Sequence, residues 1–235
     1  MSEVMQKILA LWEIDQALHK LEGILSDLRA EDERLLQRLA AEDQAWEERK
    51  KRHQELRRRA NAKAQEVDET DDKIRAYQKK LDHDIIPYKE MEFLKEQVEY
   101  LRGRLGELEE EALGLMDEVE ADAERLVAEE KEHQGRRADL ERELKKLRAR
   151  QAELRAEREG FLVRRRKALT ALPKNWREHY ERLHETIPDP VAPVENGACG
   201  GCHLKISDTL LERVREGREV VICENCSRFL YLGWR

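Results

Sequence analysis

All four cysteines of this 235-residue chain lie in its last 37 residues, as two pairs: Cys199-Gly200-Gly201-Cys202 and, twenty residues on, Cys223-Glu224-Asn225-Cys226. A two-residue spacer lets one tight turn present two sulfurs to one ion at about 2.3 Å, and two such turns complete a tetrahedral four-thiolate zinc shell. Backbone N–H groups of each turn then face the thiolates. Gly200 and Gly201 are expected to take the unusual dihedrals, and Asn225 a left-handed position. Four thiolates leave no open coordination position, so one structural Zn2+ is expected, bound by Cys199, Cys202, Cys223 and Cys226, and no catalytic metal. His203 adjoins Cys202, but four thiols already fill the shell. Two disulfides do not suit a chain read as cytosolic, and a thioredoxin-type redox pair needs a βαβ pattern that is absent.

Around these cysteines the sequence predicts short elements. His203–Ile206, Glu219–Ile222 and Arg228–Leu232 read as strands. Ser207 or Asp208 caps a helix running through Arg215, and Gly217 stops it. So small a core does not hold itself together unaided, and metal binding supplies the missing stability.

What positions this head is a long helical segment. Charged residues make up 41 % of the chain, aromatics 5 %, and the mean hydropathy is −0.87. An ordinary globular core carries about 25 % charged residues, so a large single-core enzyme is excluded. A 3-4 spacing starting at Leu11 runs unbroken to Leu81, and fifteen of its twenty-one positions are apolar against 40 % for the chain. A second stripe runs from Met91 through Leu94, Val98, Leu101, Leu105, Leu108, Ala112 and Leu115 to Val119. It then thins to Leu126, Leu140, Leu147, Leu154 and Phe161, with Glu129, His133 and Arg136 as polar members. These are coiled-coil signals. Pro87 breaks the pattern between the two zones, each of which would reach about 120 Å at 1.5 Å per residue.

Equal lengths around a short turn predict one antiparallel hairpin folded near residue 86, pairing residues whose numbers sum to about 172. Charge supports it: residues 49–59 hold seven bases and one acid, and 113–123 hold four acids and no base. Residues 136–150 hold seven bases and three acids, and 22–36 hold five acids and two bases. The basic runs are therefore read as ion-paired across the hairpin. His53 and His133 fall on the seam without matched partners. An extended intermolecular coil is the alternative.

The expected fold class is mostly α, a long antiparallel coiled-coil hairpin with a small C-terminal β zinc ribbon. The expected domains are the hairpin over 1–172 with its turn near 83–88, a short helix and Pro-rich linker over 173–194, and the ribbon over 195–235. In the middle segment Trp176, Tyr180 and Leu183 share one helix face, and Ile187–Val194 reads as extended linker.

On these motifs the chain resembles a bacterial family of coiled-coil proteins with a C-terminal four-cysteine zinc ribbon. The resemblance rests on the long hairpin, the turn segment Tyr88-Lys89-Glu90 leading into Leu94 and Glu96, the short helix, and the cysteine pairs followed by Ser227, Arg228, Phe229, Leu230 and Tyr231. Family turns often carry Asn where Ile86-Pro87 stands here, and Gly where Ser227 follows the fourth cysteine. The resemblance implies a non-enzymatic adaptor with a protein partner. It points to flagellar or type III secretion regulation, to the alternative nitrogen-type sigma factor, and to RNA.

Among the basic runs, Arg164, Arg165, Arg166 and Lys167 stand apart. Their expected partners near residues 5–8 offer Lys7 and no acid, and they sit at the hairpin base near Arg228 and Tyr231. Cations beside aromatics suit single-stranded nucleic acid, so RNA is the alternative partner at this patch. A net charge of −7 argues against wholesale wrapping by nucleic acid. No Gly-rich phosphate loop or nucleophile elbow occurs, so neither an enzyme nor a small-molecule substrate is expected. Met1-Ser2-Glu3-Val4 does not begin a signal peptide and no apolar run is long enough to span a membrane, so a cytoplasmic protein without membrane insertion is expected.

Overall fold

The computed structural model of the chain describes residues 1–233. Helix α1 (Glu3–His83) and helix α2 (Tyr88–Thr170) form the hairpin, followed by α3 (Lys174–Thr186), β1 (Val191–Glu195), β2 (Ala198–Cys199), α4 (Asp208–Glu216), β3 (Val221–Ile222) and β4 (Phe229–Leu232). The chain divides into two compact units, one made of Met1–Glu33 with Lys145–Arg235 and the other of Arg34–Leu144.

The heptad pattern explains the long helices. Every seam position from Leu11 to Leu81 is buried or half-buried, as is every one from Met91 to Val119. Helices this long draw their stability from that packed stripe rather than from propensity. Pro87 ends the register: its carbonyl accepts from Glu90 and Met91 at 2.9 and 3.0 Å, so it starts α2 while lacking the donor a continuous helix needs.

In the unit Arg34–Leu144 the helices are joined by ion pairs across the seam. Arg49 contacts Asp122 at 2.8 Å and Glu129 at 2.5 Å, Lys63 contacts Glu111 at 3.0 Å, and Arg136 contacts Glu42 at 3.0 Å. His53 has a partner after all: its Nδ1 lies 2.8 Å from Asp122. Buried His133 stacks on Trp46 with centroids 5.3 Å apart. The expectation that the 49–59 block is neutralised across the hairpin holds only for Arg49. Among the described residues Lys51, Arg52, Arg57 and Arg59 make no ion pair, although Arg52 and Arg59 line the groove beside Asp122 and Glu129.

In the other unit Asp32 meets Arg148, Glu22 meets Arg158, and Asp15 meets Arg165. The numbers of each pair sum to about 180 rather than 172. Helical side chains lean toward their own N-terminus. In an antiparallel pair both leans raise the sum by about one residue each, and the buried partners Leu25 and Leu154, whose numbers sum to 179, show that the register itself is shifted in this unit. The reading that Arg164–Lys167 faces residues 5–8 with no acid is corrected accordingly, since Arg165 reaches Asp15.

This unit also holds the sheet, in order β2-β1-β4-β3, with β1 parallel to β4 and the other two pairs antiparallel. Successive residues of β1 and β4 face opposite sides. Val191 and Phe229 join Met5, Ile8 and Leu11 of α1, Leu169 of α2, and Tyr180 and Leu183 of α3 in one core. Ala192 and Leu230 join Ile206, Leu210, Val214 and the cysteines in a second. The stretch read as linker therefore contains a strand, Val191–Glu195, and the expected boundary at 194/195 falls inside it. Pro188, Pro190 and Pro193 masked it. Pro193 is tolerated because β2 pairs only with Val194 and Glu195 on that side. The expected strand over 203–206 reduces to one bridge between Ala198 and Lys205.

Candidate metal centre

The two cysteine turns are built alike. The Cys199 N–H donates to the Leu204 carbonyl and the Cys223 N–H to the Arg228 carbonyl, at 3.0 and 2.8 Å. The His203 N–H closes back on the Cys199 carbonyl and the Ser227 N–H on the Cys223 carbonyl, at 2.7 and 3.0 Å. This geometry puts His203 and Ser227 in the left-handed region, at φ 61° and 62°. The positive-φ positions are thus the residues after each pair, and the expectation that Gly200, Gly201 and Asn225 take them is corrected. The two glycines are there for room. A Cβ on Gly200 would stand 2.9 Å from the Pro193 carbonyl oxygen, and one on Gly201 2.5 Å from Arg228 Cδ.

The four sulfurs lie within 4.8 Å of one another, with Cys199–Cys226 and Cys202–Cys223 separations of 3.8 Å. A tetrahedral Zn–S bond of about 2.3 Å gives an S–S edge of about 3.8 Å, so the donor set fits zinc. A disulfide would need about 2.05 Å, and all four cysteines are free. Cys199 and Cys223 are buried, at 0 % and 1 % exposure, while Cys202 and Cys226 are half-buried.

Burial pushes the Cys199 thiol up to about 12, against the pull of the Cys202 and Gly201 N–H groups. Burial also raises Cys223 against the Asn225 and Cys226 N–H groups. At Cys226 burial is outweighed by the Arg228 N–H and guanidinium and by the neighbouring thiols, which bring it down to about 7. A divalent ion is the group that lets all four ionise together.

Residues 198–230 match the C4-type zinc ribbon domain, and residues 11–187 match the CT398-like coiled coil hairpin domain. The chain belongs to the CT398-like coiled coil hairpin family. Among solved structures it is similar to CT398 from Chlamydia trachomatis, at 21 % identity and a TM-score of 0.79 over 98 % of each chain. A protein from Mycobacterium smegmatis is similar at 24 % identity and a TM-score of 0.60 over 99 % of each. The HP0958 protein from Helicobacter pylori is similar at 17 % identity and a TM-score of 0.50 over 98 % of each. No curated protein is significantly similar to the chain. These structures share the fold; the C4 ribbon match and the four converging thiols make the chain a zinc-binding coiled-coil protein with one structural Zn2+.

The other expected site residues do not form one cluster. Arg165 donates to Asp15 at 2.6 Å, and Arg164 sits over the Phe161 ring at 5.0 Å. Arg166 and Lys167 are exposed and make no ion pair among the described residues. Arg228 Nε donates to the Asp189 carbonyl at 2.8 Å, beside Cys226. Tyr231 is half-buried and lies 6.4 Å from Trp12, and burial followed by the Glu195 charge raises its phenol. Arg228 and Tyr231 thus belong to the ribbon's seating.

Sequence reasoning missed Asp15. Its buried carboxylate accepts from Arg165 and, at 2.9 Å, from the fully buried Tyr180 hydroxyl, tying α1, α2 and α3 together. Burial and then the Asp15 charge push the Tyr180 phenol well up, which keeps it a donor. Asp189 was also missed. It accepts from Trp12 at 3.2 Å and Gln16 at 2.5 Å, pinning the approach to β1 against α1. An acid next to an apolar seam was the only signal for Asp15, and nothing in the spacing marked Asp189.

Proposed function

We propose that the chain is a non-enzymatic cytoplasmic adaptor whose hairpin and zinc head bind protein partners. The partner classes are those the resemblance implies, a sigma factor or a component of secretion or flagellar assembly. The observation that carries this reading is the closed set of four thiolates, which leaves the metal no position for substrate or water. Phe229 reinforces it. Ringed by Trp176, His179 and Tyr180 at centroid distances of 5.9, 5.1 and 6.1 Å, it seats the ribbon on the helical base. A head fixed in this way offers a shaped surface to a partner.

Arg166 and Lys167, exposed and without an ion pair among the described residues, favour a second reading, RNA binding at the base. It is weakened because Arg165 and Arg228 are already engaged. Affinity capture from native lysate with and without nuclease separates the two. Protein partners that survive nuclease support the adaptor. RNA in the eluate that is lost on Arg166→Ala with Lys167→Ala supports the alternative, and its recovery should fall steeply with salt.

A further inference from the structure

Within the unit Arg34–Leu144, helix α2 carries a second stripe at 3-4 spacing. Its seam runs through Ala112, Leu115, Val119, Asp122 and Leu126. One residue on, about 100° round the helix, come Leu113, Met116, Glu120, Ala123 and Val127. Leu113, Met116 and Val127 are exposed, at 63 %, 47 % and 57 %. Leu113 and Val127 lie in one column about 21 Å long, with Glu120 midway. The acids along this stripe are many. Glu109 and Glu130 continue it at either end, and Glu110, Asp117 and Glu124 follow its outer edge. All six, Glu120 included, are exposed and make no ion pair among the described residues; Glu130 accepts from Gln134 at 3.5 Å. The cations on this flank are fewer. Lys131 and, from α1, Arg57 make no ion pair among the described residues, while Lys50, which lines a groove with Glu130, turns to Glu47 at 2.5 Å. Arg52 and Arg59 belong to the other groove, beside Asp122 and Glu129.

We infer that this face binds a basic amphipathic helix of a protein partner, whose apolar side chains sit on Leu113, Met116 and Val127 and whose Lys and Arg side chains meet the six acids. The inference rests on the adaptor reading and gives it a surface and a partner chemistry. Apolar anchors at helical spacing are what a docked amphipathic helix needs, and about fourteen residues of helix cover the stripe. Glu120 falls inside that contact. A carboxylate covered without a counter-charge costs more than the apolar contacts return, so the partner carries a cation near the middle of its apolar face. Other occupants fit less well. A second copy placed by a two-fold axis, along the helix or across it at Glu120, sets Glu120 on Glu120. Nucleic acid and anionic lipid are repelled by the same six acids.

The probe is a synthetic helical peptide of about 18 residues, with Leu at 3-4 spacing on one face, one Lys at the centre of that face and Lys or Arg on both flanks. A second peptide keeps the bases and carries Ser in place of Leu. Fluorescence anisotropy with the zinc-loaded full chain at low salt is expected to show binding of the first and at least about tenfold weaker binding of the second. Leu113→Ser with Met116→Ser and Val127→Ser should weaken the first peptide at least about tenfold, and so should Glu120→Lys. Glu118→Lys makes the same charge change on the other flank and should alter affinity by no more than about twofold. A native chain that does not bind the first peptide overturns the inference. So does equal binding of the two peptides, or equal weakening by Glu118→Lys and Glu120→Lys. Circular dichroism reports whether the variants keep their helices. If one does not, a photo-crosslinker at the centre of the peptide decides on the native chain: crosslinks within 106–134 support the docking face, and crosslinks elsewhere overturn it. Nuclease-resistant protein partners captured equally by the native chain and the triple variant keep the adaptor reading and overturn this surface. A native chain that captures no protein overturns both.

Discussion

Removing the Asp15 carboxylate should loosen the attachment of α3 to the hairpin, and the amount follows from what it leaves behind. In Asp15→Ala the Tyr180 hydroxyl, at 0 % exposure, loses its acceptor. An orphaned buried donor costs about 1–3 kcal/mol. Arg165 loses its charge-assisted bonds, but its side chain is 22 % exposed and can turn to water, so about 1 kcal/mol is assigned there. The expected loss is about 2–4 kcal/mol. Tyr180→Phe leaves Asp15 on Arg165 and should cost about 1 kcal/mol. The double variant has no hydroxyl to orphan, so its loss should fall short of the two single losses together by about 1–2 kcal/mol. Urea unfolding followed by near-ultraviolet circular dichroism and by tryptophan fluorescence measures all three, since Trp12 and Trp176 pack against the same core. Additivity within about 0.3 kcal/mol would refute the claim that this pair holds the base together.

Three further outcomes are expected. Cys223→Ser should abolish stoichiometric zinc binding and unfold the ribbon with little change in far-ultraviolet helical signal, because structural zinc contributes on the order of 10–16 kcal/mol in small fingers; metal analysis and circular dichroism check it. Ser227→Gly should raise the ribbon's thermal stability by about 0.5–1 kcal/mol, since φ 62° strains a side-chain-bearing residue there; calorimetry of the zinc-loaded protein reads it. At Asp122 burial opposes ionisation, but hydrogen bonds from Arg49 and His53 outweigh it and hold the carboxyl below its usual 3.8. Its folded-state value is lowered, so its stabilisation is present above 3.8 and lost as pH falls through the lower value. Asp122→Asn should therefore flatten the acid limb of the stability curve in that window, as pH-stepped urea titrations would show.

The parts legible in the sequence were those in which one residue type has one job. The seam from Leu11 to Leu81 forced the first long helix, and Pro87 ended it. Ser207 accepts from the Leu210 N–H, and Gly217 closes α4 at φ 63°, as expected. The four thiols converged because only that arrangement satisfies one ion. What escaped depended on three-dimensional reach. The strand at Val191–Glu195 was hidden because its proline content imitates a linker, and only the parallel partner β4 reveals it. A register about eight residues beyond the one expected moved Arg165 from Lys7 to Asp15. Gly200 and Gly201 looked like dihedral requirements, yet they serve to admit Pro193 and Arg228 at close range. The left-handed positions after the cysteine pairs fell to His203, a residue type tolerated there, and to Ser227, which ordinary propensity would not choose.

The short run from Thr186 to Val191 has a consequence for metal binding. With so few residues between α3 and the sheet, and with Phe229 enclosed by α3 aromatics, the ion's grip and the helical bracket share one free-energy cycle. Whatever stabilises the bracket also raises the affinity for the ion. The isolated 191–233 fragment should accordingly hold zinc more weakly than the intact chain does, and the affinity ratio between them would measure how much of the head's order is lent by the helices beneath it.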